Sequence, residues 1–214
     1  LLKENIDPKK IVVTGNTVID ALYSAIKILE NNDELRSSIE SQFKFLDDNK
    51  HIVLITGHRR ESFGEGFNQI CDAISTLAKK FSDVRFVYPA HLNPNVRIPV
   101  KKYLSNLSNV FIIDPLEYLP FVYLMNKSYV LLTDSGGIQE EAPSLGKPVL
   151  LMRDTSERPE AIASGTVRMV GTDKNLIIKE LSTLLTDADA YKEMSFAHNP
   201  YGDGKACERI IQAL

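Results

Sequence analysis

Residues 129–152 read YVLLTDSGGIQEEAPSLGKPVLLM and contain a complete strand, turn, helix and second strand. The runs Tyr129–Thr133 and Val149–Met152 are almost continuously apolar, as strands buried on both faces of a sheet should be. Between them, Gly137–Leu145 predicts a helix. A strand, a helix and a strand in this order predict two parallel strands joined by a right-handed crossover.

The same alternation of apolar runs and helical stretches continues in both directions along the chain. Further strands are predicted at Ile11–Thr14, Ile52–Thr56, Val84–Tyr88, Val110–Ile113 and Val167–Val170. Further helices are predicted at Val18–Leu29, Gly66–Phe81, Ile98–Leu104, Leu119–Asn126 and Lys174–Leu185. We therefore predict an α/β fold with a Rossmann-like, doubly wound parallel sheet. Ligands of such sheets bind beyond the carboxyl ends of the strands.

The composition limits the classes of ligand. The chain has 214 residues, 43% of them apolar, which suffices for a buried core without disulfides or metal. Its formal net charge of -3 provides no basic field for a nucleic acid backbone. A small anionic metabolite held by a few placed groups is the better-suited ligand.

Other residue patterns argue against a disulfide-bonded, a membrane-spanning or a metal-binding protein. Cys71 and Cys207 lie far apart in segments with helical character, which favours reduced thiols and a cytoplasmic location. No apolar run approaches the roughly 20 residues needed to span a bilayer, so we expect no membrane segment. The four histidines have no spacing suited to a metal, and we expect neither a metal ion nor another cofactor.

A glycine-flanked loop, TGHRRESFGEGF at Thr56–Phe67, follows a predicted strand. Its three glycines permit unusual backbone angles and the close approach of a ligand. His58 supplies a hydrogen-bond donor that titrates near neutral pH. The alternative is that His58 caps a turn, while Arg59 and Arg60 pair with Glu61 in solvent.

The TDSGG turn places a serine and two glycines at the start of a predicted helix. Free backbone N–H groups there, at Gly136 and Gly137, form a site for a phosphate, and the Ser135 hydroxyl adds a donor. One of Glu140 and Glu141, about one turn later, is suited to accepting hydrogen bonds from a ribose diol. The alternative is that Ser135 is an ordinary N-cap and that the negative charges of the glutamates interact favourably with the helix dipole.

Three further segments supply candidate residues. Arg153 and Arg158 can neutralise a phosphate, although arginines of this kind are commoner as surface ion-pair partners. His91 lies in a rigid loop of prolines and asparagines, which either positions side chains for a ligand or is purely structural. Phe121 lies near the start of a predicted helix, where core packing is the default and a base pocket is the alternative.

Five motifs follow one another along the chain. They are GNTVIDAL at Gly15–Leu22, TGHRRESFGEGF at Thr56–Phe67, YPAHLNPNVR at Tyr88–Arg97, TDSGGIQEEAPSLGKPVLLMRDTSERPEA at Thr133–Ala161 and GTVRMVGTD at Gly165–Asp173. Together they resemble the C-terminal domain of non-hydrolysing UDP-N-acetylglucosamine 2-epimerases, and the resemblance covers nearly the whole chain. It implies one half of a glycosyltransferase-B type enzyme, in which two Rossmann-like domains face each other across a cleft, usually in a homodimer.

The resemblance also implies a domain organisation. Residues 1–214 are expected to form the C-terminal UDP-binding domain, with the N-terminal domain outside this sequence. The polar start of the chain resembles an interdomain linker. The tail, residues 191–214, consists of a loop and a short helix and is expected to pack toward the N-terminal domain.

The reaction implied by the resemblance interconverts UDP-N-acetylglucosamine and UDP-N-acetylmannosamine by eliminating UDP and adding it back on the other face of the sugar. The acid and base carboxylates are expected in the N-terminal domain, so this half supplies the UDP site. The implied contacts are His58, Arg158, Ser135, Gly136 and Gly137 to the diphosphate, Glu141 to ribose, Phe121 to uracil, and Arg59 and His91 to a second, activating UDP-N-acetylglucosamine. The product is expected to serve polysaccharide biosynthesis.

Three alternatives remain open. A hydrolysing 2-epimerase uses the same elimination but releases N-acetylmannosamine and UDP. A glycosyltransferase of the same architecture uses a similar diphosphate site for group transfer. For the isolated chain, we expect a nucleotide-binding module that binds UDP weakly and turns over nothing.

Overall fold

The sheet is parallel throughout and has the Rossmann strand order. The computed structural model describes residues 1–47 and 49–214, in which six strands form one sheet in the order β3-β2-β1-β4-β5-β6. The strands are β1 (Ile52–Thr56), β2 (Arg85–Pro89), β3 (Val110–Ile113), β4 (Val130–Thr133), β5 (Val149–Leu151) and β6 (Val167–Met169). This order is that of doubly wound α/β folds, and the predicted fold class is confirmed.

Alternating side chains of the strands build two core layers. In β1, Val53 and Ile55 belong to one layer and Leu54 to the other, because successive strand residues point to opposite faces. The first layer is covered by α3 (Glu65–Lys80), α4 (Pro94–Leu104) and α8 (Lys174–Thr186). The second is covered by α1 (Thr17–Asn31), α5 (Tyr118–Lys127) and α6 (Gly136–Glu141). The remaining helices of the described residues are α2 (Asp33–Glu40), α7 (Pro159–Ala163), α9 (Ala188–Ser195) and α10 (Ala206–Ala213).

The predicted strand Ile11–Thr14 is wrong. Val12 and Val13 are 61% and 89% exposed, and the segment runs outside the sheet into α1. A β-branched run forms a strand where neighbouring elements cover it, and the run itself does not reveal whether they do.

The helical predictions differ from the structure in two ways. Helix α6 ends at Glu141, short of the predicted Leu145, and continues as a 3-10 turn that contains Pro143. Proline has no backbone N–H and so cannot continue the α-helical ladder. The sequence pattern also misses α2 and α9, in which Ile39 and Met194 are the buried residues, so both helices lack a broad apolar stripe.

The C-terminal tail packs on the start of α1. Asn16 N donates to Tyr201 O at 2.8 Å, and the carboxylate of Asp20 accepts from Ala206 N at 3.1 Å where α10 begins. These bonds fasten the tail to its own domain. Contact of residues 191–214 with an N-terminal domain stays a prediction.

Candidate functional site

The carboxyl ends of β1 and β4 form the switch point of the sheet. The two strands are neighbours, and Thr56 and Thr133 pair at their ends with their hydroxyl oxygens 2.6 Å apart. The chain then turns to opposite faces, after β1 toward α3 and after β4 toward α6. In doubly wound sheets, the ligand crevice opens where neighbouring strands part in this way.

A cleft of about 210 Å³ opens at this switch point. Four predicted site residues line it: His58, His91, Phe121 and Ser135. Much of the remaining wall is apolar, with Leu116 among its residues. A largely apolar cleft with a few convergent polar groups is typical of small-molecule sites.

A buried carboxylate holds the His58 loop. Asp134, directly after β4, is 2% exposed, and its Oδ2 accepts from the backbone N–H groups of His58 at 2.6 Å and Arg59 at 2.7 Å. Its Oδ1 lies 3.3 Å from Nδ1 of His58. The imidazole is half exposed at the cleft, so Asp134 fixes the backbone of the loop and faces the ring with an oxygen that makes no hydrogen bond to the described residues. The sequence analysis did not assign this role to Asp134, although an acid directly after a buried strand is a visible signal.

His91 stacks beside His58. The two ring centroids are 5.8 Å apart, with 18° between the ring planes. Nδ1 of His91 accepts from Asn93 N at 3.1 Å, which makes the ring part of the turn after β2. The structure therefore brings His58 and His91 together, as required if both face one ligand region.

The proposed pairing of Arg59 and Arg60 with Glu61 is not what the structure contains. Glu61 instead pairs with Arg153 at 2.6 Å. Arg153 is 5% exposed and also contacts Glu157 at 3.3 Å, so it is a buried link between two loops and not a surface ion-pair partner. The predicted pairing of Glu61 is wrong because Arg153, distant in sequence, binds its carboxylate instead of the neighbouring Arg59 and Arg60.

Ser135 begins α6 with its hydroxyl unused. It occupies the N-cap position, yet within the described residues its side chain makes no capping hydrogen bond. Ser135 thus holds the N-cap position that the alternative predicted, but its side chain does not cap the helix. Its hydroxyl lies at the cleft wall, where it can donate to a ligand.

Gly136 and Gly137 leave open space at the start of α6. A methyl group at Gly136 would meet Glu157 Oε2 at 3.9 Å, and one at Gly137 would meet Ser135 Oγ at 4.0 Å, both ordinary contact distances. Both residues have helical backbone, so the fold itself does not require glycine there. The first N–H groups of a helix have no intrahelical partner, and here they lie next to the cleft.

The three glycines of the loop Thr56–Phe67 serve different structural purposes. Of the three, only Gly64 has a positive φ, at 85°. At Gly57, a methyl group would come within 2.9 Å of the Tyr88 hydroxyl, which donates to Gly57 O. Gly66 packs against Thr172, which a methyl group would approach to 3.2 Å. The last two glycines thus serve close packing beneath the loop.

Glu141 lies behind the cleft and is 7% exposed. Its Oε1 accepts from the Tyr118 hydroxyl at 2.6 Å. Burial raises the pKa of Glu141 above its usual value, the Tyr118 hydrogen bond lowers it, and the nearby charge of Glu140 raises it further. The predicted ribose acceptor is thus a buried carboxylate with one oxygen already occupied.

Arg158 is held by Glu140. Its Nε donates to Glu140 Oε1, while Asn16 Nδ2 donates to Oε2 at 2.9 Å. The hydrogen bond that Arg158 donates to the Glu140 carboxylate raises the pKa of Arg158. Arg158 itself is one-third exposed and Glu140 is buried. A buried carboxylate therefore fixes the arginine beside α6, behind the lining of the cleft.

Neither a metal site nor a membrane-spanning helix is found in the part of the chain that the structure describes. Among residues 1–47 and 49–214, no group of three or more His, Cys, Asp or Glu side chains is arranged to hold a metal ion. No described helix is both long and apolar enough to cross a membrane.

The comparison with known protein families is decisive. The family of UDP-N-acetylglucosamine 2-epimerases matches residues 1–214. The chain belongs to this family. Its relatives include the UDP-N-acetylglucosamine 2-epimerase of Escherichia coli K12, 58% identical over 214 residues, which are all of this chain and 57% of that protein. The chain thus spans little more than half the length of the relatives that it matches.

Solved structures of other proteins share the fold. The UDP-GlcNAc 2-epimerase of Neisseria meningitidis, bound to UDP-GlcNAc, is 51% identical with a TM-score of 0.93, over 99% of this chain and 57% of that one. MnaA of S. aureus, in a co-structure with UDP, is 41% identical with a TM-score of 0.87, over 98% of this chain and 55% of that one. The predicted family and the predicted Rossmann-like half of a glycosyltransferase-B type fold are confirmed.

Proposed function

We propose that this chain is the UDP-binding half of an enzyme that interconverts UDP-N-acetylglucosamine and UDP-N-acetylmannosamine. UDP is eliminated from the sugar and added back on the other face. One observation carries the proposal: at the switch point, His58 backed by Asp134 and the open start of α6 line the same cleft. Epimerases of the same fold have been solved with UDP-GlcNAc and with UDP.

The diphosphate is the group that this site is suited to hold. As the bond from C1 of the sugar to the diphosphate breaks, negative charge develops on the phosphate oxygens. His58, the Ser135 hydroxyl and the amides of Gly136 and Gly137 are donors fixed near that position before the reaction. Donors that need not reorganise stabilise a departing anion most effectively.

The nucleoside is assigned to the other wall of the cleft. Phe121 lines that wall among apolar side chains and offers its ring to uracil. Glu141 keeps its Oε2 for the ribose diol, since Tyr118 occupies Oε1. Arg158 uses Nε and Nη1 in bonds to Glu140 and Glu157, and its Nη2 is left to meet the diphosphate.

The epimerase activity requires residues that this chain does not supply. Proton transfer at C2 needs an acid and a base, which we place in an N-terminal domain across the cleft. Closure of two domains also excludes water from the reacting sugar. The chain by itself is therefore proposed to bind UDP and to catalyse nothing.

A product assay on a full-length protein that carries this chain tests the activity. The proposal predicts a mixture of the two UDP-sugars, with no free sugar accumulating. Free N-acetylmannosamine and UDP would identify a hydrolysing 2-epimerase instead. Sugar transfer to an added acceptor, without any epimer, would identify a glycosyltransferase.

Calorimetry on the 214-residue chain tests the binding site alone. UDP is expected to bind weakly, and AMP, as control, not to bind. Equal binding of both nucleotides would contradict a uridine-specific pocket.

Four finer assignments rest on the family resemblance. They are a homodimer, a cytoplasmic location, a role in polysaccharide biosynthesis, and a second UDP-N-acetylglucosamine bound by Arg59 and His91. The stacking of His91 on His58 supports a ligand next to the first, because both rings line one cleft. Light scattering of the full-length protein tests the dimer, and a sigmoidal rate dependence on UDP-N-acetylglucosamine tests the second site.

A further inference from the structure

The Asp134 carboxylate is the one buried acid that touches the His58 imidazole among the described residues. A buried anion is costly unless hydrogen bonds and a positive partner compensate it. Two backbone N–H groups satisfy Oδ2, whereas Oδ1 is buried, makes no hydrogen bond to the described residues and has Nδ1 of His58 3.3 Å away. The carboxylate can only accept, so a favourable contact requires a proton on Nδ1.

A proton on Nδ1 determines what His58 can offer to a ligand. In the neutral ring, the opposite nitrogen, Nε2, then carries a lone pair, which repels a phosphate oxygen. Only the imidazolium has N–H on both nitrogens. It therefore donates to Asp134 on one side and to a phosphate on the other.

The groups around His58 permit this charge. His91, from the turn after β2, stacks on His58 and accepts a hydrogen bond from Asn93 N at Nδ1, so that nitrogen offers a lone pair and not a proton. Tyr88, on β2, is a neutral hydroxyl bonded beneath the loop to Gly57 O. Arg59 and Arg60 follow on the same loop and are cations. Asp134 is the anion that faces the ring.

We infer that Asp134 is a positioning residue: its carboxylate faces Nδ1 of His58, so that in the UDP complex Nε2–H of the ring meets the departing diphosphate. The inference rests on the proposed function for the identity of that anion. As the C1–O bond breaks, its electron pair passes to the β-phosphate oxygen; the C2 proton leaves to a base outside this chain, and the C2–H electron pair forms the C1=C2 double bond. The proton on Nε2 stays on His58 as a hydrogen-bond donor, and the steps reverse when UDP adds back.

The first test uses the wild-type chain and no ligand. Nitrogen NMR of labelled histidines at alkaline pH reports which ring nitrogen keeps its proton. His58 is expected to keep it on Nδ1, because that nitrogen faces the buried Asp134 carboxylate, which can only accept a hydrogen bond. A proton on Nε2 would overturn the inference, and this result does not depend on whether UDP binds.

The second test compares Asp134→Asn with Asp114→Asn as a matched control. Asp114 lies at the same edge of the sheet, is exposed and pairs with Arg97, so the control removes an equal charge away from His58. In the wild-type UDP complex at neutral pH, both ring nitrogens of His58 are expected to be protonated. Asp134→Asn is expected to lose this signature and to bind UDP about tenfold or more weakly, while uridine affinity stays the same.

The outcomes separate the two claims. Failure of the wild-type chain to bind UDP contradicts the proposed function, while the tautomer of His58 still decides the role of Asp134. UDP binding at unchanged affinity in Asp134→Asn, or a neutral His58 in the wild-type complex, overturns the inference alone. If Asp134→Asn fails to fold, the two wild-type spectra decide.

Discussion

Glu141→Gln should weaken the binding of UDP but not that of 2′,3′-dideoxy-UDP, which lacks both ribose hydroxyls. The carboxylate is 7% exposed, and Tyr118 already occupies Oε1. Glutamine has one acceptor oxygen instead of two, so an NH₂ donor group must face either Tyr118 or the ribose diol. A hydrogen bond to a charged group contributes about 1.5–3 kcal/mol, which corresponds to an affinity loss of about 10- to 150-fold.

Calorimetry with both nucleotides measures this loss on wild type, Glu141→Gln and the control Glu117→Gln. Glu117 precedes Tyr118 at the exposed N-terminus of α5, so the control removes a nearby charge that faces solvent. Only Glu141→Gln with UDP is expected to lose affinity. An equal loss for both nucleotides, or none for UDP, refutes the assignment of ribose to Glu141. Thermal unfolding of each variant verifies that the fold is retained.

Gly136→Ala should leave the melting temperature unchanged or slightly raised, because its methyl group meets described atoms no closer than 3.9 Å and alanine favours helix. The same variant should lose UDP affinity, and calorimetry showing unaltered binding would mean that no phosphate approaches this amide. Arg158→Ala should weaken UDP binding about tenfold or more and lower the free energy of unfolding by about 1–3 kcal/mol, since buried Glu140 loses its cation. Arg158→Lys, which keeps the charge, should restore part of the free energy of unfolding measured in urea. If Arg158→Lys loses as much stability as Arg158→Ala, the charge of the side chain is not the cause. The raised pKa of Glu141 means that the folded chain holds this proton more tightly than the unfolded chain. Its contribution to stability is therefore present at low pH and lost as pH rises from the ordinary value of 4.5 through the raised one, and the Glu141→Gln variant should lack this slope.

The sheet was predictable because its strands are buried on both faces. Such strands are continuous apolar runs, and β1 and β3 have the predicted bounds. Val12 and Val13 belong to the same kind of apolar run but are exposed to solvent, so the sequence pattern alone predicts a strand that the sheet does not contain. What a pattern cannot supply is the order of strands that are not consecutive.

The same limit explains which part of the site was missed. His58 and Ser135 were predictable, since the carboxyl ends of parallel strands meet at one edge of the sheet. Asp134 lies 76 positions from His58 and 75 from Arg59 in sequence, so its contacts with that loop require β1 and β4 to be neighbours in the sheet. The burial of Arg153 between Glu61 and Glu157 likewise depends on contacts across the fold.

A crystal structure of the chain with UDP tests the central claim most directly. The account predicts the diphosphate between Nε2 of His58 and the amides of Gly136 and Gly137, with uracil against Phe121. A nucleotide bound on another surface, with this cleft empty, would contradict it.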